Sequence, residues 1–158
     1  MLFGTHQVPG TVRNLARLAA VCTKSATPQV VIGAAIIAAG RVLACARADP
    51  PEMAGRWEFP GGKVESGEDD ATALARECRE ELAVRVDVGG RVGVDVPILD
   101  GRAVLRVYAA RLCDGDQPQL IEHQAMRWLA VDELFDVAWL PADVPIVAAL
   151  RPLLVLPD

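Results

Sequence analysis

The sequence predicts a single α+β (α/β) domain with a mixed sheet lying between helices. Three observations point there. Val30–Ala39, VVIGAAIIAA, is a near-continuous apolar run rich in β-branched residues, the pattern of a buried strand. The stretch 61–84 holds a helix whose apolar side chains, from Ala71 to Leu82, repeat at helical spacing beside a face loaded with acid. Alternating segments then fill residues 84–129, before an apolar helical stretch near the C-terminus. That order of elements suits a layered arrangement with helices covering a sheet.

Taken in order, the first pair of strands is 30–39 and 41–47, joined at a Gly-Arg turn and read as a buried hairpin. Asp49-Pro50-Pro51 opens a loop. Trp57-Glu58-Phe59-Pro60 is a short extended segment that delivers the chain to a Gly61-Gly62 turn. Ser66 is the expected N-cap of the acidic helix, with Asp69 three residues on. Ala71, Leu74, Ala75, Cys78 and Leu82 would form its core face. A strand over 84–96 bends at Gly89-Gly90, and Asp100-Gly101 signals a hairpin turn. Strands at 103–113 and 125–129 follow. Asp132 would cap a short helix reaching Phe135, and Asp143 would cap the last one.

Residues 1–28 differ from the rest. They carry Arg13, Arg17 and Lys24 and no acid, and Thr11 would cap a short amphipathic helix bearing Leu15, Leu18, Ala19 and Cys22. The arginines interrupt any signal-peptide h-region, while an acid-poor amphipathic opening also suits a transit peptide. A flexible extension, or a start codon set upstream of the true one, is the favoured reading, with the domain proper spanning 29–158.

Composition excludes several function classes. No apolar run approaches the ~18 residues that would span a membrane. The net charge of −5 carries no basic stripe, which counts against a nucleic-acid polymer as partner. An acidic chain still binds anionic phosphates when metal ions carry the positive charge. Cys22, Cys45, Cys78 and Cys113 lack CxxC spacing and sit in apolar surroundings, the pattern of reduced thiols and a cytoplasmic setting.

The chemistry concentrates in 61–84, GGKVESGEDDATALARECREELAV. Glu77, Glu80 and Glu81 stand at i, i+3 and i+4, so their carboxylates crowd one face. Mg²⁺, a hard cation that prefers carboxylate oxygen, would turn this repulsion into binding. The two glycines allow close approach of backbone to that cation or to a phosphate. Gly62, Glu68, Arg76, Glu77, Cys78, Glu80, Glu81, Ala83 and Val84 resemble the signature of the Nudix hydrolases, Gly-x5-Glu-x7-Arg-Glu-U-x-Glu-Glu-x-Gly-U, where U is a bulky apolar residue. Two positions depart. Cys78 occupies a U position, and Ala83 stands where the family has glycine.

The resemblance implies a Nudix α/β/α sandwich and a Mg²⁺-dependent pyrophosphohydrolase, with Mn²⁺ as a substitute. It implies metal ligands at Gly61 (carbonyl), Glu77, Glu80, Glu81 and Glu122. Arg76 would orient a glutamate or touch a phosphate. The general base is left between Glu77 and Glu122. His123 is read as structural, since hydrolysis assisted by a metal needs no histidine. Ala54–Glu65 resembles the MutT-type nucleoside triphosphate pyrophosphohydrolases, and Glu122–Leu129 followed by Leu140–Pro145 resembles the CTP pyrophosphohydrolase branch. By that resemblance Asp143 reads the base, Arg47 and Lys63 contact phosphates, Glu58 and Phe59 line the pocket, and Arg102 contacts phosphate or ribose. Tyr108, Trp57, Trp128 and Trp139 could stack on a base, although each suits the core. The expected reaction splits a nucleoside triphosphate into monophosphate and pyrophosphate. The expected substrate is CTP, dCTP or a modified dCTP, with 8-oxo-dGTP as the alternative, a diphosphate derivative such as ADP-ribose disfavoured, and a non-catalytic nucleotide sensor as the non-enzymatic rival. A monomer or homodimer is expected.

Overall fold

A computed structural model describes residues 26–155. The expectations for residues 1–25, Cys22 among them, lie outside that range. Strand β1 (Gln29–Ala38) is the hub of a seven-stranded sheet. It pairs antiparallel with β2 (Arg41–Ala46) and β4 (Gly61–Lys63), and parallel with β6 (Ala103–Leu112). β3 (Trp57–Glu58) and β7 (Ala125–Leu129) flank β2, and β5 (Val86–Ile98) forms the far edge beside β6.

The apolar run of β1 has a simple cause, because both its faces are covered. Ile32, Ala34 and Ile36 point to one core, where α1 (Asp70–Leu82) lays down Leu74, Cys78 and Leu82. Val31, Ala35 and Ile37 point to the other, filled by Ile146 and Val147 of α2 (Val144–Ala149), Leu154 of α3 (Arg151–Leu154) and Leu150 between the two helices. The result is a mixed sheet with helices on both sides, as expected from the pattern. Full burial of each leucine contributes about 2 kcal/mol, so the apolar stripe of α1 holds its acidic face in place.

Several local expectations are corrected. The Gly61-Gly62 pair is not a turn but most of β4, in register with Gly33 and Ile32. Asp69, not Ser66, caps α1, its Oδ1 accepting from the Thr72 amide at 2.7 Å. The core face of α1 includes Ala73 while Ala71 is exposed. Val94 is 73% exposed because two irregularities in the β5–β6 register break the simple alternation. Residues 131–135 form turns rather than a helix. Asp143 precedes α2 but makes no side-chain cap.

One anchor of α1 had no counterpart in the sequence reading. In the first turn, Asp70 accepts from Tyr108 Oη at 2.7 Å and Arg106 Nη1 at 2.8 Å, and Arg106 also grips Asp95 of β5. The other end of α1 closes on Ala83, which adopts φ 56 and ψ 37. The Ala83 and Val84 amides reach back to the Arg79 and Cys78 carbonyls. A left-handed residue there suits glycine, and alanine pays a steric cost. Ala83→Gly should therefore stabilise the protein by about 0.5–1 kcal/mol, read as a higher urea midpoint with unchanged slope. A lower midpoint would contradict the backbone geometry.

Candidate active site

The site is built on one short stretch, Glu58–Gly62, which leaves β3 and enters β4. Two of its amides hold the two buried carboxyls found among the described residues. The Phe59 amide donates to Asp143 Oδ1 at 3.2 Å, and the Gly61 amide donates to Glu81 Oε2 at 3.0 Å. Burial pushes both acids up to about 7, and each amide partly opposes that rise. Glu81 Oε1 takes no hydrogen bond among the described residues.

Glu77, one turn before Glu81, and Glu80, directly before it, turn onto Arg76. Its guanidinium donates from Nη1 to Glu77 at 2.8 Å and to Glu80 at 3.3 Å. It donates from Nε and Nη2 to Glu68 at 2.7 and 3.0 Å, and from Nη2 to the Lys63 carbonyl. The Arg76 hydrogen bonds, helped by the Glu65 amide, bring Glu68 down to about 2. Arg76 thus bridges the start of α1, its acidic face and β4. Gly62 lies against Glu77 so closely that a Cβ there would land on the carboxyl group.

Glu81 also faces a cleft of roughly 340 Å³ lined by Arg47, Ala48, Asp49, Glu58, Glu122 and His123. Arg47 Nη1 grips both Glu58 oxygens at 3.1 and 2.9 Å, and His123 Nε2 lies 3.1 Å from Glu58 Oε1. Burial works against charge on His123, but the Glu58 hydrogen bond and the nearby Glu81 carboxylate hold its pKa above the ordinary value. Glu122 reaches the cleft because its loop is pinned at both ends. The Gln119 amide donates to the Leu82 carbonyl at the end of α1, and the Gln124 amide donates to Ala46 of β2.

The structure thus gathers Glu81, Glu122, Arg47 and Glu58 at one cleft, with Arg76, Glu77 and Glu80 beside it. Other expected residues stand apart. Lys63 is exposed on β4. Arg102 donates to the Leu99 carbonyl in the β5–β6 turn and is absent from the cleft wall. The Phe59 ring is 4% exposed and stacks at 5.0 Å on Trp139, so it belongs to the core. Trp139 spends its Nε1–H on the Leu134 carbonyl, and Trp57, Trp128 and Tyr108 also pack against the cores. Asp143 sits behind Glu58 and is 4% exposed. His123, expected to be structural rather than an acid–base group, forms part of the cleft wall. The adjacent acid and histidine in Ile121-Glu122-His123-Gln124 were the visible signal, but their meeting with Glu58 needs the fold.

The NUDIX domain model matches residues 27–150. The chain belongs to the Nudix family. Among its relatives, a Mycobacterium tuberculosis protein provisionally named 8-oxo-dGTP diphosphatase 2 is 48% identical over 118 residues, covering 73% of this chain and 82% of that protein. The CTP pyrophosphohydrolase of Escherichia coli is 36% identical over 124 residues, covering 78% and 91%. The solution structure of the E. coli ORF135 protein superposes with a TM-score of 0.68 at 34% identity, covering 80% of this chain and 91% of that one. The protein is a Nudix hydrolase, and these relatives are named as a nucleotide diphosphatase and a nucleotide pyrophosphohydrolase.

Nudix hydrolases generally use divalent metal ions, and the donors here suit one. No three His, Cys, Asp or Glu side chains converge at coordinating distance among the described residues. Glu81 nevertheless presents a buried carboxylate with one unused oxygen, a costly arrangement that a hard cation offsets. Glu122 lines the same cleft, and Glu77 stands one helical turn before Glu81 on α1.

Two substitutions separate site from fold. Gly62→Ala should fold normally but raise the half-saturating metal concentration about tenfold or more, because the methyl displaces the flexible Glu77 carboxyl. Gly61→Ala should unfold the domain, since its Cβ would land on the Ile32 carbonyl oxygen, in backbone. Metal titration alongside thermal melting checks both, and equal melting temperatures for the pair would contradict the packing.

Asp143 gives a pH test. Its folded value of about 7 exceeds the ordinary 3.8, so the stability tied to its proton is complete below about pH 4 and lost as pH rises through 7. Asn cannot ionise and keeps an oxygen for the Phe59 amide. The melting advantage of Asp143→Asn over the native chain should grow from about pH 5 to about pH 8. An advantage that shrinks over that range would refute the burial argument.

Proposed function

We propose that the protein is a Mg²⁺-dependent nucleoside triphosphate pyrophosphohydrolase acting on CTP, dCTP or a modified dCTP, releasing the monophosphate and pyrophosphate. The observation that carries this reading is the cleft itself, where a buried carboxylate with a free oxygen faces an arginine. Glu81, Glu77 and Glu122, with Glu80 and the Gly61 carbonyl, would hold the metal. Arg76 keeps Glu77 and Glu80 oriented. When bound, a divalent ion supplies charge neutralisation at phosphate oxygens and makes water easier to deprotonate. Glu77 or Glu122 then accepts the proton, Arg47 steadies a phosphate oxygen, and Lys63, at the exposed edge of β4, neutralises another. Arg102 lies away from the cleft and has no part in this reading.

Asp143 supports the assignment of the base. The Phe59 amide holds one oxygen, and because Asp143 is buried and absent from the cleft wall, a base must displace the side chains in front of it to reach the other. An ionised carboxylate accepts from an exocyclic amine such as cytosine N4. The similarity to a CTP pyrophosphohydrolase favours the same choice. The second reading, an 8-oxo-dGTP diphosphatase, is favoured by the 48% identical relative, and a neutral Asp143 carboxyl suits it because it donates as well as accepts.

The test is a substrate panel with Mg²⁺: CTP, dCTP, 5-methyl-dCTP, 8-oxo-dGTP, dGTP and ADP-ribose, with pyrophosphate and orthophosphate assayed separately. Selective pyrophosphate release from cytosine nucleotides is expected, and Glu81→Gln should lower turnover by about a hundredfold or more while leaving the fold intact. Preference for 8-oxo-dGTP would move the function to nucleotide-pool sanitation. Tight nucleotide binding with no turnover would make the protein a sensor.

A further inference from the structure

The cleft contains a buried group that this chemistry leaves unused. His123 directly follows Glu122, and its side chain is only 5% exposed. Its two nitrogens have unequal surroundings. Nε2 meets Glu58 Oε1 at 3.1 Å, while Nδ1 is buried without a partner among the described residues. A carboxylate only accepts hydrogen bonds, so Nε2 donates in this contact. The ring has little freedom to leave it. The neighbouring Gln124 amide is bonded to Ala46 at 2.9 Å, and β7 begins at Ala125 directly opposite that residue.

On the other side of Glu58 stands Arg47. Its Nη1 donates to both carboxylate oxygens and its Nε to the Asp49 carbonyl at 2.9 Å, while Nη2 makes no hydrogen bond among the described residues. Glu58 therefore has one donor on each side, a rigid ring and a flexible arginine. Holding the carboxylate still holds the arginine still. An arginine set in advance loses less side-chain freedom when an anion binds.

We propose that His123 is a positioning residue: by donating to Glu58 it fixes the carboxylate that holds Arg47 with Nη2 free for a phosphate oxygen of the nucleotide. This rests on the reading of the cleft as a triphosphate site. It also gives the Glu122–His123 step a joint purpose, since the loop that brings an acid to the metal side simultaneously locks the phosphate side.

His123→Gln and His123→Asn make the decisive pair. Both carry the same amide, but the glutamine nitrogen reaches the place of Nε2 and the asparagine nitrogen stops short. The measurements are kcat and KM for the preferred triphosphate, its Kd with Ca²⁺ in place of Mg²⁺, and the melting temperature. His123→Asn should raise KM and Kd about tenfold with kcat changed less than about threefold, and His123→Gln should recover most of that loss. In an Arg47→Ala background, His123→Asn should add nothing. Equal behaviour of the Gln and Asn variants, a loss confined to kcat, or effects that multiply with Arg47→Ala would overturn the proposal. Should His123→Asn fail to fold, Glu58→Gln must raise KM instead, and an unchanged KM there counts against it. A native protein that binds triphosphate without turnover would refute the enzymatic reading, while the Gln–Asn contrast in Kd still decides the role of His123.

Discussion

Two buried carboxyls depend on the backbone of one short segment, and the site depends on that arrangement. Glu81 and Asp143 arrive from opposite ends of the domain, one on α1 and one just before α2. Both find an amide donor between Phe59 and Gly61. Burying an acid costs several kcal/mol unless something compensates, and a single N–H compensates only in part. The residual cost appears as two carboxyls that hold their protons up to near neutrality.

The remainder of the fold keeps that segment in place. β4 is stitched to β1 at Gly33, where the only tolerable neighbour for the Ile32 carbonyl is a residue without a side chain. Arg76 ties the same segment to α1 through the Lys63 carbonyl. At the far end of α1, the Leu82 carbonyl takes the Gln119 amide of the loop that carries Glu122. The acids of the cleft are thus referenced to one helix, even though Glu122 is some forty residues from Glu81 along the chain.

Much of this was legible before any coordinates. The apolar run of β1 announced a strand covered on both faces, and the spacing of Glu77, Glu80 and Glu81 announced a helix with one acidic face, because periodicity reports burial and charge directly. What failed was local. Ser66 and Asp69 are both acceptable caps, and only the packed direction of α1 chooses between them. Val94 follows an alternation that register shifts interrupt, and those shifts depend on the partner strand. Phe59 was expected to line the pocket but packs in the core, because aromatic character does not reveal which face of a strand is filled; the tryptophans pack against the cores, as suited them. His123 and Glu58 are sixty-five positions apart, so their hydrogen bond could not be seen in one chain without its fold.

The parallel pairing of β1 with β6 carries a consequence for how the molecule assembles. Gln29 through Ile36 register with Ala103 through Ala110, which closes a loop of roughly seventy residues. Closure over that span is slow compared with hairpin formation. The β1–β2 hairpin, β4 and α1 need only sequence-local contacts, so they can gather first during synthesis. Until β6 docks, however, one edge of β1 presents unpaired backbone groups on a strongly apolar strand, the hallmark of an aggregation-prone intermediate. The strand that makes the domain's hub is therefore its point of greatest exposure while the chain is still incomplete.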